Sequence, residues 1–439
     1  MHTYLGLLLL LLASAYLAHL WLLHLGRSKA ALQAQALRRQ LLEQKVAEIV
    51  SDSAQPPKAQ SDNLSWAGWR KFRVQKVVVE NDAVKSFYLL PHDGRPLPNF
   101  LPGQHLTFRL KVPGQSKPVV RCYSLSANAE LLDPKKRHTG QNTGDAVQQE
   151  HLYYRVTIKH LRAPVDEADV ADGLGSAYFH TEVEQGDILD VKAPAGSYFL
   201  DTTEKTPVVL VAGGVGLTPS LSMLHTLKVL GSNREVWLFN ANTSPQTAFL
   251  TEELGGLKQS LANFQVFNFY TQTENAPLFA NEFSGRLTCD HLQQLGAPYH
   301  ADYYVCGPAS MMKSIVGGLR ELGVDEQRIH FESFGPASLN NSSSRVAKNS
   351  VQQESPVLVQ FKASDKSLDW KPACGTLLET AESVGVEIDH GCRAGSCGTC
   401  LTAILKGNVS YIEEPGGDIE AGSCLPCIAI PKEGLILDA

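Results

Sequence analysis

The stretch "HGCRAGSCGTC", His390–Cys400, places Cys392, Cys397 and Cys400 in one short window with Gly391, Gly395 and Gly398. Three sulfur donors on a glycine-rich loop point to a metal centre, and a closed centre needs a fourth ligand. Two candidates lie downstream, Cys424 and Cys427. Structural zinc usually shows two short-spaced pairs, and Cys424-Leu-Pro-Cys427 would supply the second; free thiols are the other alternative. The C-x4-C-x2-C spacing favours iron–sulfur, because it is the ligand run of one class of [2Fe–2S] centres. Such a loop must wrap its backbone N–H groups closely around the sulfides, an approach that side chains would obstruct.

Outward from this window, the chain has 439 residues, enough for about three domains. With 43% hydrophobic and 19% charged residues, a packed globular protein is expected. A formal net charge of −6 argues against nucleic acid as a partner. Five of the nine cysteines follow position 390, a metal-site distribution rather than a secreted disulfide framework.

The amino-terminal run Tyr4–Leu25 contains no Asp, Glu, Lys or Arg. As a helix it would be about 33 Å long, enough to cross a bilayer. Arg27, Lys29, Arg38, Arg39 and Lys45 follow, and the positive-inside rule puts that side in the cytoplasm. Ala13-Ser14-Ala15 resembles a signal cleavage site, but the start "MHTY" lacks a basic region and the apolar run continues beyond it, which favours an anchor. His19 and His24 are read as helix-contact residues rather than haem ligands. Residues 30–50 extend the helix as a stalk, and "SDSAQPPKAQSDN" breaks it.

From Phe72 the texture is β, with "FRVQKVVVE", "KSFYLLP" and "HLTFRLKV". A polar loop is expected over 128–150 before "LYYRVTIKH"; its Lys135, Lys136 and Arg137 read as a solvated charge run. From Thr206 strands alternate with helices: "PVVLVAGGVG", "PSLSMLHTLKVLG", "EVWLFNAN" and "ADYYVCGPASMMKSIVGGLREL". That alternation implies a parallel α/β sheet. "SLNNSSSRVAKNS" is a second linker, and the last domain begins near Pro356.

"GTLLETAESVGVEIDHGCRAGSCGTC", together with the ending "C-I-A-I-P", resembles a carboxy-terminal plant-type ferredoxin domain. The resemblance implies a β-grasp fold and selects Cys427 as fourth ligand beside Cys392, Cys397 and Cys400. Cys424 becomes a spare thiol, and Cys374 a packing residue. "RCYSL", Arg121–Leu125, is similar to the R-x-Y-S motif of the ferredoxin–NADP reductase superfamily, with "PGQH" (102–105) upstream and "GLGSAYFH" (173–180) downstream. It implies that Arg121 meets the flavin phosphate, Tyr123 packs on the isoalloxazine, Ser124 bonds near N5, and His105, Gly173, Gly175 and Ser176 complete the site. A helix N-terminus of this kind binds pyrophosphate through its free N–H groups. "VAGGVGLTP" (211–219), "VCGP" (305–308) and "HFESFG" (330–335) resemble the nicotinamide module. This implies dinucleotide contacts at Gly213, Gly214, Gly216, Thr218, Gly307 and Pro308, with Thr218 and Cys306 flanking the nicotinamide and Glu332 near the flavin edge. Ser124, Thr218, Cys306 and Glu332 are the expected catalytic residues. Residues 66–336 look most like the reductase portion of flavohaemoglobins, which use FAD; FMN serves relatives in the phthalate dioxygenase reductase group.

The expected organisation is therefore a transmembrane anchor and helical stalk (1–50), a linker (51–65), an antiparallel β-barrel flavin domain (66–203), a parallel α/β NAD domain (204–336), a flexible linker (337–355) and a β-grasp [2Fe–2S] ferredoxin domain (356–439). The cofactors are FAD, NADH and a [2Fe–2S] cluster. "NANTSPQTAF" (240–249), after the second strand of the nucleotide domain, has no Arg or Lys for an extra phosphate, so NADH is expected over NADPH. The expected partners are the cytoplasmic membrane, with every cofactor domain on its cytoplasmic side, and a redox acceptor protein such as a membrane-bound oxygenase, hydroxylase or desaturase. The alternatives are a quinone or hybrid-cluster-protein reductase, or a membrane redox sensor.

Overall fold

A computed structural model of the chain describes residues 65–128, 153–163, 172–273, 278–334, 356–416 and 419–439. The expected anchor and stalk, the linker up to residue 64, the loop from residue 129 to 152 and the linker at 337–355 lie outside the described residues. Among the described residues no helix is long and apolar enough to cross a membrane.

The first described region is a six-stranded antiparallel sheet. Its strands are β1 (Arg70–Asn81), β2 (Val84–Pro91), β3 (His105–Leu110), β4 (Val119–Ser124), β5 (Tyr154–Lys159) and β6 (Ile188–Val191), in the order β4-β3-β6-β1-β2-β5. The alternation in "FRV" turns Phe72 and Val74 inward and Arg73 outward, as a half-buried strand requires. An antiparallel bridge between Leu125 and Val156 joins the β4 and β5 ends of the sheet. Helix α1 (Leu174–Thr181) inserts Phe179 into the core, edge-on to Phe87, Phe108 and Tyr123 with ring centroids 5.0, 5.3 and 5.1 Å away.

The second region is a parallel sheet of β7 (Val208–Gly213), β8 (Val236–Asn242), β9 (Phe264–Tyr270), β10 (Glu282–Ser284), β11 (Asp302–Gly307) and β12 (Ile329–Ser333), in the order β10-β9-β8-β7-β11-β12. All six residues of β7 are buried, because both faces of a parallel sheet are covered by helices. Val208, Leu210 and Ala212 join the core under α2 (Leu217–Val229) and α3 (Thr251–Ser260). Val209 and Val211 join the opposite core, with α4 (Cys289–Gln294) and α5 (Ala309–Glu321). The strand order reverses between β7 and β11, and the crevice beyond their carboxyl ends is where such sheets bind ligands.

A half-buried ion pair ties this region to the first. Arg155 on β5 donates to both carboxylate oxygens of Glu253 on α3, at 2.8 and 2.7 Å, and His225 on α2 meets the same carboxylate. Burial opposes ionisation of Glu253, but hydrogen bonds from His225 and Arg155 outweigh it and hold the carboxyl down at about 2.

The third region packs β13 (Val357–Phe361), β14 (Lys366–Trp370), β15 (Thr402–Lys406), β17 (Ser423–Cys424) and β19 (Leu435–Leu437) in the order β14-β13-β19-β15-β17, with a separate pair of β16 (Val409–Tyr411) and β18 (Ala429–Pro431). Helix α6 (Leu377–Ser383) lays Leu377, Leu378 and Ala381 on the sheet. A capping box starts it: the Thr376 hydroxyl accepts from the Glu379 N–H, and the Glu379 carboxylate accepts from the Thr376 N–H at 2.8 Å.

Candidate functional site

Strands β3 and β4 lie side by side with His105 opposite Ser124. Arg121 and Tyr123 alternate with Cys122 and Ser124 along β4, so the two pairs face opposite ways. Gly173 precedes α1 as its N-cap, and Ser176 is committed locally: its hydroxyl donates to the Gly173 carbonyl at 2.9 Å and accepts from the Leu161 N–H at 3.0 Å. A Cβ on Gly175 would stand 2.7 Å from Arg121 Cγ and 2.8 Å from Tyr123 Oη. The first turn of α1 is thereby held against the arginine side chain, which combines a helix N-terminus with a fixed cation for a phosphate group.

Across the crevice, the turn after β7 carries Gly213, Gly214 and Gly216 and leads into α2. A Cβ on Gly216 would meet the Cys306 carbonyl oxygen at 2.2 Å, so only glycine lets this turn lie on the end of β11. Gly213 is in close contact with Gly307 and Pro308. The Thr218 hydroxyl donates to the Val215 carbonyl at 2.9 Å, fastening the turn from within. Cys306 is fully buried among the residues under α2. Burial, with the Glu332 carboxyl beside it, pushes its thiol well up, so it stays neutral.

Register places Cys306 next to Glu332 on β12. Glu332 Oε1 lies 3.8 Å from His105 Nδ1, and burial pushes its carboxyl up to about 8. Three buried atoms from three strands have no hydrogen-bond partner: Ser124 Oγ, His105 Nε2 and Glu332 Oε2. Buried polar atoms are normally paired, so this set fits a polar ligand between the first and second regions, as the expected flavin requires.

The cysteine loop meets this crevice. The Cys392 thiol is within hydrogen-bonding reach of those of Cys397 and Cys427, and Cys400 reaches Cys427. The N–H groups of Ala394 and Cys397 point at Cys392 Sγ, at 3.4 and 3.3 Å. Cys424 is buried on β17 opposite Thr402, in the same core as Cys400 and Cys427. Four sulfurs, with N–H groups aimed at that of Cys392, suit a [2Fe–2S] centre; a His105 ring nitrogen and Cys122 Sγ also lie within 4.8 Å of Cys397 Sγ.

Three contacts seat the third region against the other two. Ser396 Oγ donates to the Ser333 carbonyl at 3.3 Å, Lys192 pairs with Asp389 at 3.1 Å, and Arg320 with Glu414 at 2.7 Å. A Cβ on Gly391 would stand 2.6 Å from Cys122 Sγ. The expected site residues thus lie on β3, β4, at the start of α1, at the ends of β7 and β11 and the turns after them, on β12, on the cysteine loop and, for Cys427, between β17 and β18. Sequence reasoning missed Tyr198, whose buried hydroxyl is unpartnered beside Cys306 and Glu332. It also missed Lys159, whose Nζ lies 3.9 Å from where a Gly214 Cβ would be. Neither residue sits in a motif; only the folded sheet brings them to the crevice.

Residues 210–317 match the oxidoreductase NAD-binding domain, and residues 363–432 the 2Fe-2S iron-sulfur cluster binding domain. The flavohemoprotein of Bacillus cereus is 35% identical over 275 residues, 62% of this chain and 62% of that protein. The chain thus spans less than two thirds of the curated relatives it matches. The flavohem-like FAD/NAD binding domain of nitric oxide dioxygenase from Vibrio cholerae is 30% identical, with 62% of this chain covering all of that one at a TM-score of 0.51. Phthalate dioxygenase reductase shares the modular fold at 24% identity and a TM-score of 0.53, over 85% of this chain and 98% of its own. The flavin strand, the glycine turns and the cysteine loop meet at one crevice, and the matches fall on them together: the chain carries an oxidoreductase NAD-binding domain and a carboxy-terminal 2Fe-2S iron-sulfur cluster binding domain, and the portion before the latter is similar to the FAD/NAD module of flavohemoproteins.

Proposed function

We propose that this chain is a membrane-anchored reductase that takes electrons from NADH and delivers them to a membrane-bound oxygenase, hydroxylase or desaturase on the cytoplasmic side. The observation that carries the reading is the contact of the cysteine loop with the flavin strand, Gly391 on Cys122, which suits passage of electrons from one to the other. Phthalate dioxygenase reductase, a modular structure for electron transfer from pyridine nucleotides to [2Fe-2S], lends the acceptor class. Tyr4–Leu25 and the basic residues after it support the anchor and its orientation; NADH is supplied on that side.

When bound, the flavin turns a two-electron hydride into single electrons and the cluster relays them. The chain's part is orientation and exclusion of water. Arg121 and the first turn of α1 would hold the phosphates, and Tyr123 the ring. Gly216 and Gly307 let backbone approach the nicotinamide, while Thr218 keeps the turn closed. Glu332, neutral below about pH 8, can donate as well as accept at the flavin edge. The absence of Arg and Lys from residues 240–249 favours NADH, since a 2′-phosphate would find no cation there.

Anaerobic rapid mixing of the purified protein with NADH should bleach the flavin first and produce the electron paramagnetic resonance of a reduced [2Fe–2S] centre second, with higher catalytic efficiency for NADH than for NADPH. A cluster that stays oxidised while the flavin is fully reduced would sink the electron route. A higher efficiency with NADPH would sink the nicotinamide assignment alone.

A further inference from the structure

The outer face of the flavin sheet is ordered in three rows across β1, β6 and β3. Lys192 and Thr107 make the first, with Trp69 beside them: the Lys192 N–H donates to the Thr107 carbonyl at 2.9 Å, and Lys192 Nζ lies 5.1 Å from the Trp69 ring centroid. The second is Lys71, Asp190 and Arg109, paired in register. The third is Arg73 opposite Ile188, with Lys111 two residues on from Arg109 and so on the same side of its strand. The iron–sulfur domain covers the first row, where Lys192 meets Asp389 and Gly391 meets Cys122. In the other two rows Lys71, Arg73, Lys111 and Ile188 are exposed.

This stretch is cationic by composition. Trp69–Arg73, Thr107–Lys111 and Ile188–Lys192 hold one carboxylate, Asp190. It faces Lys71 at 2.6 Å and Arg109 at 2.9 Å and is itself buried, so it offers little charge to solvent. Beyond the third row the Asp187 carboxylate accepts from the Glu184 N–H at 2.8 Å, and the β3–β4 hairpin adds Lys117, also exposed. An exposed cationic face fits an anionic surface, and the course of the chain indicates which one. Residues 1–64, with the apolar run Tyr4–Leu25 and the basic residues after it, join the described structure at Ser65 and lead through Trp69 into this face. A tether that enters here keeps the patch near whatever bilayer the apolar run enters. Each Lys or Arg close to anionic headgroups strengthens binding about fivefold, and the attraction fades within a Debye length, so it orients a domain that is already tethered.

We propose that the face carrying Lys71, Arg73 and Lys111 is a docking surface for anionic lipid headgroups, which seats the flavin sheet on the bilayer and holds the iron–sulfur domain, covering the adjoining row, beside a membrane-bound acceptor. The proposal deepens the membrane reading of the function and rests on it for the identity of the surface. An acidic protein is the competing occupant; the entry of the amino-terminal segment at this face favours lipid.

The test uses the full chain reconstituted into nanodiscs of phosphatidylcholine alone, or of phosphatidylcholine and phosphatidylglycerol in equal parts, and reads the acetylation rate of each lysine by mass spectrometry. The chain should co-elute with both discs. Lys71, Lys111 and Lys117 should react about fivefold more slowly in anionic than in neutral discs, while Lys228 on α2 and Lys258 on α3, both exposed, react equally in the two. Arg73→Glu combined with Lys111→Glu should return Lys71 and Lys117 to their neutral-disc rates and leave flavin reduction by NADH unchanged. Should the glutamates cost the protein its flavin, Arg73→Gln with Lys111→Gln carries the same expectation. Co-elution with both discs and equal lysine rates overturns the surface and leaves the anchor standing. Co-elution with anionic discs alone, with these lysines protected, upholds the surface and refutes the anchor; co-elution with neither refutes both. Protection in whole cell membranes but not in anionic discs assigns the face to an acidic protein and overturns the lipid docking.

Discussion

At the scale of single residues, the site depends on atoms that are close only because a side chain is missing or short. Gly216 lies on the Cys306 carbonyl and Gly391 on the Cys122 sulfur. Sulfur placement gives the sharpest residue-level prediction. Cys427→Ser should lose most of the iron and the charge-transfer absorption, whereas Cys424→Ser, altering a buried residue of β17, should keep both. Flavin bleaching by NADH should survive either change, because it precedes the cluster. Iron content and the visible spectrum decide the matter, and equal losses in the two variants would reject Cys427 as the ligand. Much of this was legible in the sequence, because cluster ligands fall at short spacings on one loop and R-x-Y-S is contiguous. Cys122 and Tyr198 were not, since what each touches is brought there by folding from far along the chain.

Among elements, the tie between β5 and α3 is a chemical lever. The Glu253 carboxyl is held at about 2 in the folded protein, against an ordinary value near 4.5. A depressed carboxyl pKa contributes stability that is present above the ordinary value and lost as pH falls through the folded one. The contribution, on the order of 3 kcal/mol from the size of the shift, should therefore disappear between about pH 5 and pH 2. Glu253→Gln, which cannot ionise, should show a flatter fall of melting temperature over that window, measured by scanning calorimetry. Parallel slopes would mean that the pair does not govern acid stability. The strands themselves were readable from alternation in "FRV" and from the unbroken apolar run "VVLV", whose burial on both faces follows from the parallel sheet. The pairing of Arg155 with Glu253 was not, because a charged residue within a β run gives no sign of a partner on another domain's helix.

For the whole molecule, the order of the nucleotide and iron–sulfur modules was legible because each carries its own motif. The amino-terminal segment makes its own prediction. A chain lacking residues 1–64 should be soluble and keep NADH-to-dye activity, while delivering electrons poorly to a membrane-bound acceptor; equal delivery by the truncated chain would remove the anchor's role. The seating of the iron–sulfur domain carries a further consequence. Its Lys192–Asp389 and Arg320–Glu414 pairs are largely solvent-facing on their acidic sides, 82% and 58% exposed. Exposed pairs contribute little each and weaken as counter-ions accumulate. Ionic strength should therefore act as a clutch: between about 0.05 and 1 M salt, where the screening length shrinks from more than 10 Å to about 3 Å, single-electron passage into the iron–sulfur domain should slip while hydride transfer keeps its pace. Rapid mixing at graded salt would read the two phases separately, and a common salt dependence would mean that the joint is fastened by its buried contacts, Ser396 on Ser333 and Gly391 on Cys122, instead.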